Sequence, residues 1–167
     1  ADDPLLKDGI WAQSAFTTAM GGYQETATDP SFLGQHIIFT TAHVGNYPSS
    51  KQVNQSDKVH AKSLIARNFS YNDFLDNCDV PLVTIPDTRS LTLYLSSKSK
   101  DHNSVISINA TAPSKKEFKN AQLTCSNLEL VSKKETEVIN PGKKPIVVIN
   151  YGIKNSITQR LKELNYP

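Results

Sequence analysis

The apolar positions of this chain fall in short blocks separated by polar turns. Residues 35–41 carry His36-Ile37-Ile38-Phe39, rich in β-branched side chains and preceded by the turn-forming Asp29-Pro30-Ser31, which predicts a buried strand. A second strand is expected over residues 59–66 and a third over 82–85, opened by Pro81. Between the first two, Gly45-Asn46-Tyr47-Pro48-Ser49-Ser50 and the polar stretch to Lys58 make a long loop, a feature that in compact domains is often functional. Ser70 is placed to cap a short helix running through Leu75, with Phe74 and Leu75 inward. Asp87 caps a second helix, with Leu91, Tyr94 and Leu95 on one face.

Further along, a strand over residues 104–109 precedes Ser114 and Glu117, which form a capping box directly after Pro113. Strands are expected at 128–131 and 137–139, broken by the turn Lys133-Lys134-Glu135. Residues 145–149 read Pro-Ile-Val-Val-Ile, an apolar strand leading through Gly152 into a helix with Ile157, Leu161 and Leu164 at i, i+4 and i+7. A parallel strand of that kind needs cover on both faces, so it either joins the first sheet or opens another domain. Strands alternating with helices give an α/β class.

Composition narrows the function classes. The 167 residues suit one domain, or one domain and a fragment of a second. Eighteen basic residues against sixteen acidic ones leave a net charge of +2, carried by scattered pairs such as Lys115-Lys116 and Lys143-Lys144. Without basic clusters interleaved with aromatics, no nucleic-acid partner is expected. No run reaches the roughly 18 apolar residues of a membrane span, so no membrane association is expected. Ala1-Asp2-Asp3-Pro4 fits the remnant of a cleaved signal peptide, and Asn54, Asn68 and Asn109 each begin an Asn-x-Ser/Thr triplet. Cytoplasm is the default expectation and secretion the alternative.

Catalytic signatures are sparse. There is no Gly-x-Ser-x-Gly elbow, Cys78 sits beside Asp79, whose carboxylate disfavours a thiolate, and Cys125 has no flanking glycine. The two cysteines match no redox or metal spacing and are compatible with free thiols or one disulfide. His36, His43, His60 and His102 lack the spacing that gathers imidazoles on a metal, and no phosphate-binding glycine loop is present. The sequence therefore points to no catalytic residue, no metal and no cofactor. What stands out is a dense block, Met20-Gly21-Gly22-Tyr23-Gln24-Glu25-Thr26-Ala27-Thr28-Asp29-Pro30-Ser31, followed by Gln35 and by His43-Val44-Gly45-Asn46. On residue chemistry alone these are two tight turns around a strand, with glycines taking positive φ and Asp29 and Ser31 bonding the turn backbone.

The same block resembles the N-terminal domain of the small, glutamine-hydrolysing subunit of carbamoyl phosphate synthetase. The residues that carry the resemblance are Gly22, Tyr23, Gln24 and Glu25, then Asp29, Pro30 and Ser31, then His43, Gly45 and Asn46. It continues through Val59-His60-Ala61 and Leu64-Ile65-Ala66-Arg67, through Asp87, Thr88 and Arg89 with Leu91-Thr92, and into Val147-Val148-Ile149-Asn150-Tyr151-Gly152-Ile153-Lys154. The chain departs from the family at Ala12-Gln13, where a Gly-Glu is usual, at Ala42 in place of a proline, and at Asn150 in place of an aspartate.

The resemblance implies the swivelling β/β/α fold for residues 1–140 and a stub of the amidotransferase domain's first βα unit for 141–167. In the family the small subunit hydrolyses glutamine and passes ammonia to a large ATP-using subunit for pyrimidine and arginine synthesis. The catalytic Cys, His and Glu of the family belong to the amidotransferase domain beyond its first βα unit, so the expected role is structural and docking, without glutaminase chemistry. Expected partners are the large synthetase subunit and an amidotransferase domain. Ser31 matches the serine that the N-terminal domain contributes to the glutamine site. The alternative expectation is a repurposed stand-alone binding protein for an amino acid or a protein partner.

Overall fold

The computed structural model of the chain describes residues 9–97, 103–106, 114, 116, 128–141 and 146–164. Its centre is a five-stranded sheet built from β1 (Ile10–Thr17), β2 (His36–Phe39), β3 (Ser63–Ala66), β4 (Leu82–Thr84) and β5 (Asn103–Ile106), in the order β4-β3-β2-β1-β5. β1 to β4 run parallel, with Ser14 opposite His36, Ile37 opposite Leu64 and Ile65 opposite Val83, while β5 pairs antiparallel with β1 through Ile10 and Ile106. Among the described residues the helices around it are α1 (Tyr23–Ala27), α2 (Asp73–Asp76), α3 (Thr88–Ser97) and α4 (Asn155–Glu163). The chain is a mixed α/β protein.

Every residue of β2 and β3 is buried, because both faces of these central strands are covered. Ile37, Phe39, Leu64 and Ala66 point to one face, which is closed by Tyr23 and Ala27 of α1, by Val44 and by Leu75 of α2. Ile38 and Ile65 point to the other and meet Leu95 of α3. α3 buries Thr88, Thr92 and Leu95, a strict i, i+4 and i+7 spacing; of the face expected from the sequence, Leu95 is buried and Leu91 packs against the same cluster, while Tyr94 lies off the stripe and is 60% exposed.

β1 has no counterpart among the strands expected from hydrophobic blocks. Its buried side chains are Ala12 and Ser14, too small and polar to stand out. Five further expectations are corrected. α2 is capped by Asn72 rather than Ser70, because the helix begins at Asp73 and the Asn72 Oδ1 accepts the Phe74 and Leu75 N–H groups at 3.2 Å each. The strand expected from residue 59 starts only at Ser63, since the His60 carbonyl and the Lys62 N–H bond to Gly34 and Gln35 in a turn. Residues 128–130 form a 3-10 turn closed by Ser132 on the Leu128 carbonyl, and 137–139 form no strand. Ile146 to Ile149 likewise pair with no strand among the described residues, and Val147 is 82% exposed. Residues 107–109, Glu117 and Cys125 lie outside the described residues.

His36 is a fully buried polar residue that knits three strands together. Its Nε2 lies 3.1 Å from the Ile10 carbonyl and its Nδ1 lies 2.8 Å from the Ser63 hydroxyl. With Nε2–H donating to the carbonyl, the neutral ring keeps Nδ1 as an acceptor for the Ser63 hydroxyl. Burial pushes its pKa down to about 4, aided by nearby Lys62 and opposed by the Ile10 carbonyl.

A folded pKa below the unfolded value of about 6.5 means that the unfolded chain binds more protons between the two values. Stability from this site is therefore complete above pH 6.5 and is lost as pH falls from there through 4. Urea unfolding followed from pH 7 to pH 4 is expected to show a loss of order 3 kcal/mol from this group. His36→Gln should flatten that part of the profile, and an unchanged slope in the variant would remove the assignment.

Gly45 is fixed by a close approach. Its φ is +90°, and a Cβ there would lie 2.0 Å from the Ser70 carbonyl oxygen and 2.6 Å from Leu75 Cδ1. The reason is the isolated parallel bridge between Val44 and Phe69, which draws the loop after β2 against the one after β3. Gly45→Ala is expected to cost about 3 kcal/mol or more in chemical denaturation, from strain plus displacement of the bridge.

Candidate functional site

The residues singled out by the sequence come together in two groups on opposite faces of the sheet. Gly22, Tyr23, Gln24, Glu25, Asp29, Pro30 and Ser31 lie on α1 and the turn after it, beside the loop that holds His43, Gly45 and Asn46. Asp87 and Arg89 lie at the start of α3 on the other face. There the Ser90 N–H reaches Asp87 Oδ1 at 2.8 Å, and hydrogen bonds from Ser90 hold that carboxyl below the usual range. This is a capping role, and Arg89 is exposed.

The first group owes its form to backbone that needs partners. Gly22 takes φ +74° and starts α1 without a side-chain cap. Tyr47 supplies what is missing: its hydroxyl oxygen accepts the N–H groups of Gly22 at 2.6 Å and Tyr23 at 3.1 Å. The Tyr23 ring packs against Tyr47 at 4.7 Å between centroids, and its hydroxyl donates to the Tyr47 carbonyl while accepting from Asn72 Nδ2 at 2.7 Å. Burial raises the Tyr23 pKa despite the Asn72 hydrogen bond. Tyr23 is therefore a neutral structural phenol.

Gln24 is buried and clamps the long loop. Its Nε2 donates to the Ser50 carbonyl at 2.7 Å and Asn54 Oδ1 at 2.6 Å, and its Oε1 accepts the Ser50 N–H at 3.0 Å. Thr28 adds a second clasp: its Oγ1 donates to the Gln24 carbonyl and accepts the Gln55 N–H, and its carbonyl receives the Ser56 hydroxyl.

Asp29, itself buried, holds the turn that follows. Oδ1 accepts the Ser31 N–H at 2.9 Å, Pro30 begins a 3-10 turn over Pro30–Phe32, and the Ser31 side chain is left exposed. Oδ2 forms an ion pair with Lys154 at 2.6 Å. Lys154 comes from the far end of the chain, where Asn150 Oδ1 accepts the Gly152 and Ile153 N–H groups at 2.9 Å each and folds a turn whose Gly152 lies against Val131 and Pro30. Beside this seam runs an open cleft of about 370 Å³, lined among others by Phe16, Glu25, Asp29, Gln55, Lys154 and Ser156.

His43 and Asn46 are exposed and border a shallow dent with Met20 and Tyr47. Cys78 packs on the core, and burial pushes its thiol pKa up. Among the described residues no group of three or more His, Cys, Asp or Glu is arranged to hold a metal ion, and no helix is long and apolar enough to cross a membrane. Sequence reasoning assigned no role to Tyr47, Asn72 or Gln55. The only available signal was the length of the loop that carries two of them.

Fold and site together define an α/β platform domain whose turn residues hold its own loops in place and leave one serine exposed at a seam. The family model for the carbamoyl-phosphate synthase small chain, CPSase domain, matches residues 7–105, and the chain belongs to that family. It is 34% identical to the carbamoyl phosphate synthase small chain of Clostridium acetobutylicum over 92% of this chain and 47% of that protein. The arginine-specific small chain of Bacillus subtilis is 30% identical over 89% of this chain and 44% of its own length. The small chain of Methanosarcina acetivorans is 31% identical over 87% and 46%. The chain thus spans just under half the length of these relatives.

The clamp can be tested directly. Gln24→Ala removes three hydrogen bonds and leaves loop groups unpaired, and is expected to cost about 2–3 kcal/mol in urea denaturation. It should also open the loop around Ser50 to limited proteolysis, with no change at α3.

Proposed function

We propose that this chain serves as the structural and docking domain of a glutamine-dependent carbamoyl phosphate synthetase small subunit. Residues 1–140 correspond to the swivelling β/β/α domain and 141–167 to the start of the amidotransferase domain. The large synthetase subunit is the partner, and the setting is biosynthesis of carbamoyl phosphate in the cytoplasm. Ser31 is the residue that this domain presents toward glutamine. These residues contribute position and one polar contact, and the nucleophile is not among them.

The observation that carries the reading is the double hold on Asp29. One carboxylate oxygen fixes the Ser31 turn and the other grips Lys154, so an exposed hydroxyl stands where the two parts of the chain meet. Substrate recognition by a single hydroxyl needs that kind of support, since a binding group is useful only when its neighbours hold its geometry. The similarity to relatives extends well past residue 105 into the Lys154 segment, which supports treating the two parts as one small-subunit sequence. Among the described residues the one cysteine, Cys78, has its thiol packed on the core with a raised pKa, which does not suit a nucleophile.

The test is association. Gel filtration of the chain with a carbamoyl phosphate synthase large subunit at micromolar concentration is expected to give a co-eluting complex. Separate elution of the two at tens of micromolar would overturn the docking reading.

A further inference from the structure

α4 begins without a cap of its own. Its N-cap residue, Lys154, makes no side-chain capping hydrogen bond, and its ammonium group is turned away to Asp29. The first N–H groups of a helix require acceptors, and here they come from a residue distant in sequence. The Gln55 carbonyl accepts the Asn155 N–H at 2.9 Å, and Gln55 Oε1 accepts the Ser156 N–H at 3.3 Å. Asn155 Nδ2 also reaches the Asn54 carbonyl at 3.4 Å. Gln55 is in turn anchored to the platform, since its own N–H donates to Thr28 Oγ1 at 2.9 Å, one residue before Asp29.

We infer that Gln55 is a positioning residue that caps α4 across the seam. The long loop acts as a strap that holds the helix of the C-terminal segment in register with the Thr28-Asp29-Pro30-Ser31 turn. The Asp29–Lys154 ion pair and the Gln55 cap then join the parts side by side. The capping stands without the glutamine reading. Only its consequence, that the strap sets where α4 lies relative to the exposed Ser31, rests on that reading.

The side chain of Gln55 has two separable jobs, because Nε2 donates to the Val53 carbonyl at 3.1 Å within the loop while Oε1 faces α4. Substitution can part them. Gln55→Ala removes both, whereas Gln55→Glu keeps the acceptor toward α4, loses the donor toward Val53, and adds a negative charge at the helix N-terminus.

Hydrogen exchange of the whole chain, read by mass spectrometry at neutral pH, distinguishes the outcomes. In Gln55→Ala, which leaves the Gln55 carbonyl on the Asn155 N–H, the Ser156 amide in the first turn of α4 is expected to exchange about fivefold faster, the size of a lost cap, while β2 and β3 stay unchanged. In Gln55→Glu the same amide should keep or exceed wild-type protection even though the loop around Val53 exchanges faster. Unaltered α4 protection in the alanine variant, or equal loss in both variants, would overturn the cap. Co-elution with the large subunit is decided in a separate measurement, so failure of the docking reading leaves this result interpretable.

Discussion

The structure depends on one constraint: irregular backbone lies over a sheet face that must be dry. Three parallel crossovers, from β1 to β2, β2 to β3 and β3 to β4, all close the face formed by Ile37, Phe39, Leu64 and Ala66, and none contributes a helix longer than five residues. Long helices would satisfy their own N–H and C=O groups; loops cannot, and a buried unpaired group costs about 1–3 kcal/mol. Side chains do the pairing instead. Gln24 takes both backbone groups of Ser50, Thr28 takes Gln55 and Ser56, Tyr47 takes Gly22 and Tyr23, and Asn72 ties Tyr23 to the start of α2. The density of polar residues between Gly22 and Ser31 follows from that need before any substrate is considered.

The opposite face is handled differently. A ten-residue helix, α3, covers Ile38 and Ile65, and a polar problem is left where β1, β2 and β3 meet. His36 and Ser63 solve it with a neutral imidazole that has both nitrogens engaged. A β-branched aliphatic side chain would fill the space without reaching the Ile10 carbonyl. The imidazole thus acts as a cross-strand tie whose strength depends on its protonation state, in contrast to the apolar pairs around it.

These differences explain what could be read from the chain alone. β2, β3, β4, α3 and α4 are local features, each announced by an apolar block or a helical spacing, and they appear within a few residues of their expected bounds. β1 is not local in this sense, since a strand whose inward residues are Ala12 and Ser14 is defined by its neighbours. The run from Ile146 to Ile149 is the converse case. Its composition reads as a buried strand, yet pairing is a tertiary event and no described strand lies beside it. The turn residues of the site were visible as Gly, Asp, Pro and Ser, while Tyr47 and Gln55 bond partners more than twenty residues away, and the cap that Asn72 makes on α2 says nothing of its distant tie to Tyr23.

Asp29 shows why the site cannot be understood as a serine alone. The Asp29–Lys154 pair joins a buried carboxylate to an ammonium that is 43% exposed, and such half-open pairs contribute about 1 kcal/mol or less, too little to bind two parts of a chain together. Its effect is geometric. A carboxylate that already bonds the Ser31 N–H has one oxygen left, and the direction of that oxygen fixes where a cation can stand. Because the Gln55 cap and the Gly152 contact with Pro30 act on the same segment, the lysine reaches that oxygen from a prescribed side. Several weak and differently directed contacts therefore define one arrangement more narrowly than a single strong bond would, and a hydroxyl at position 31 inherits that definition.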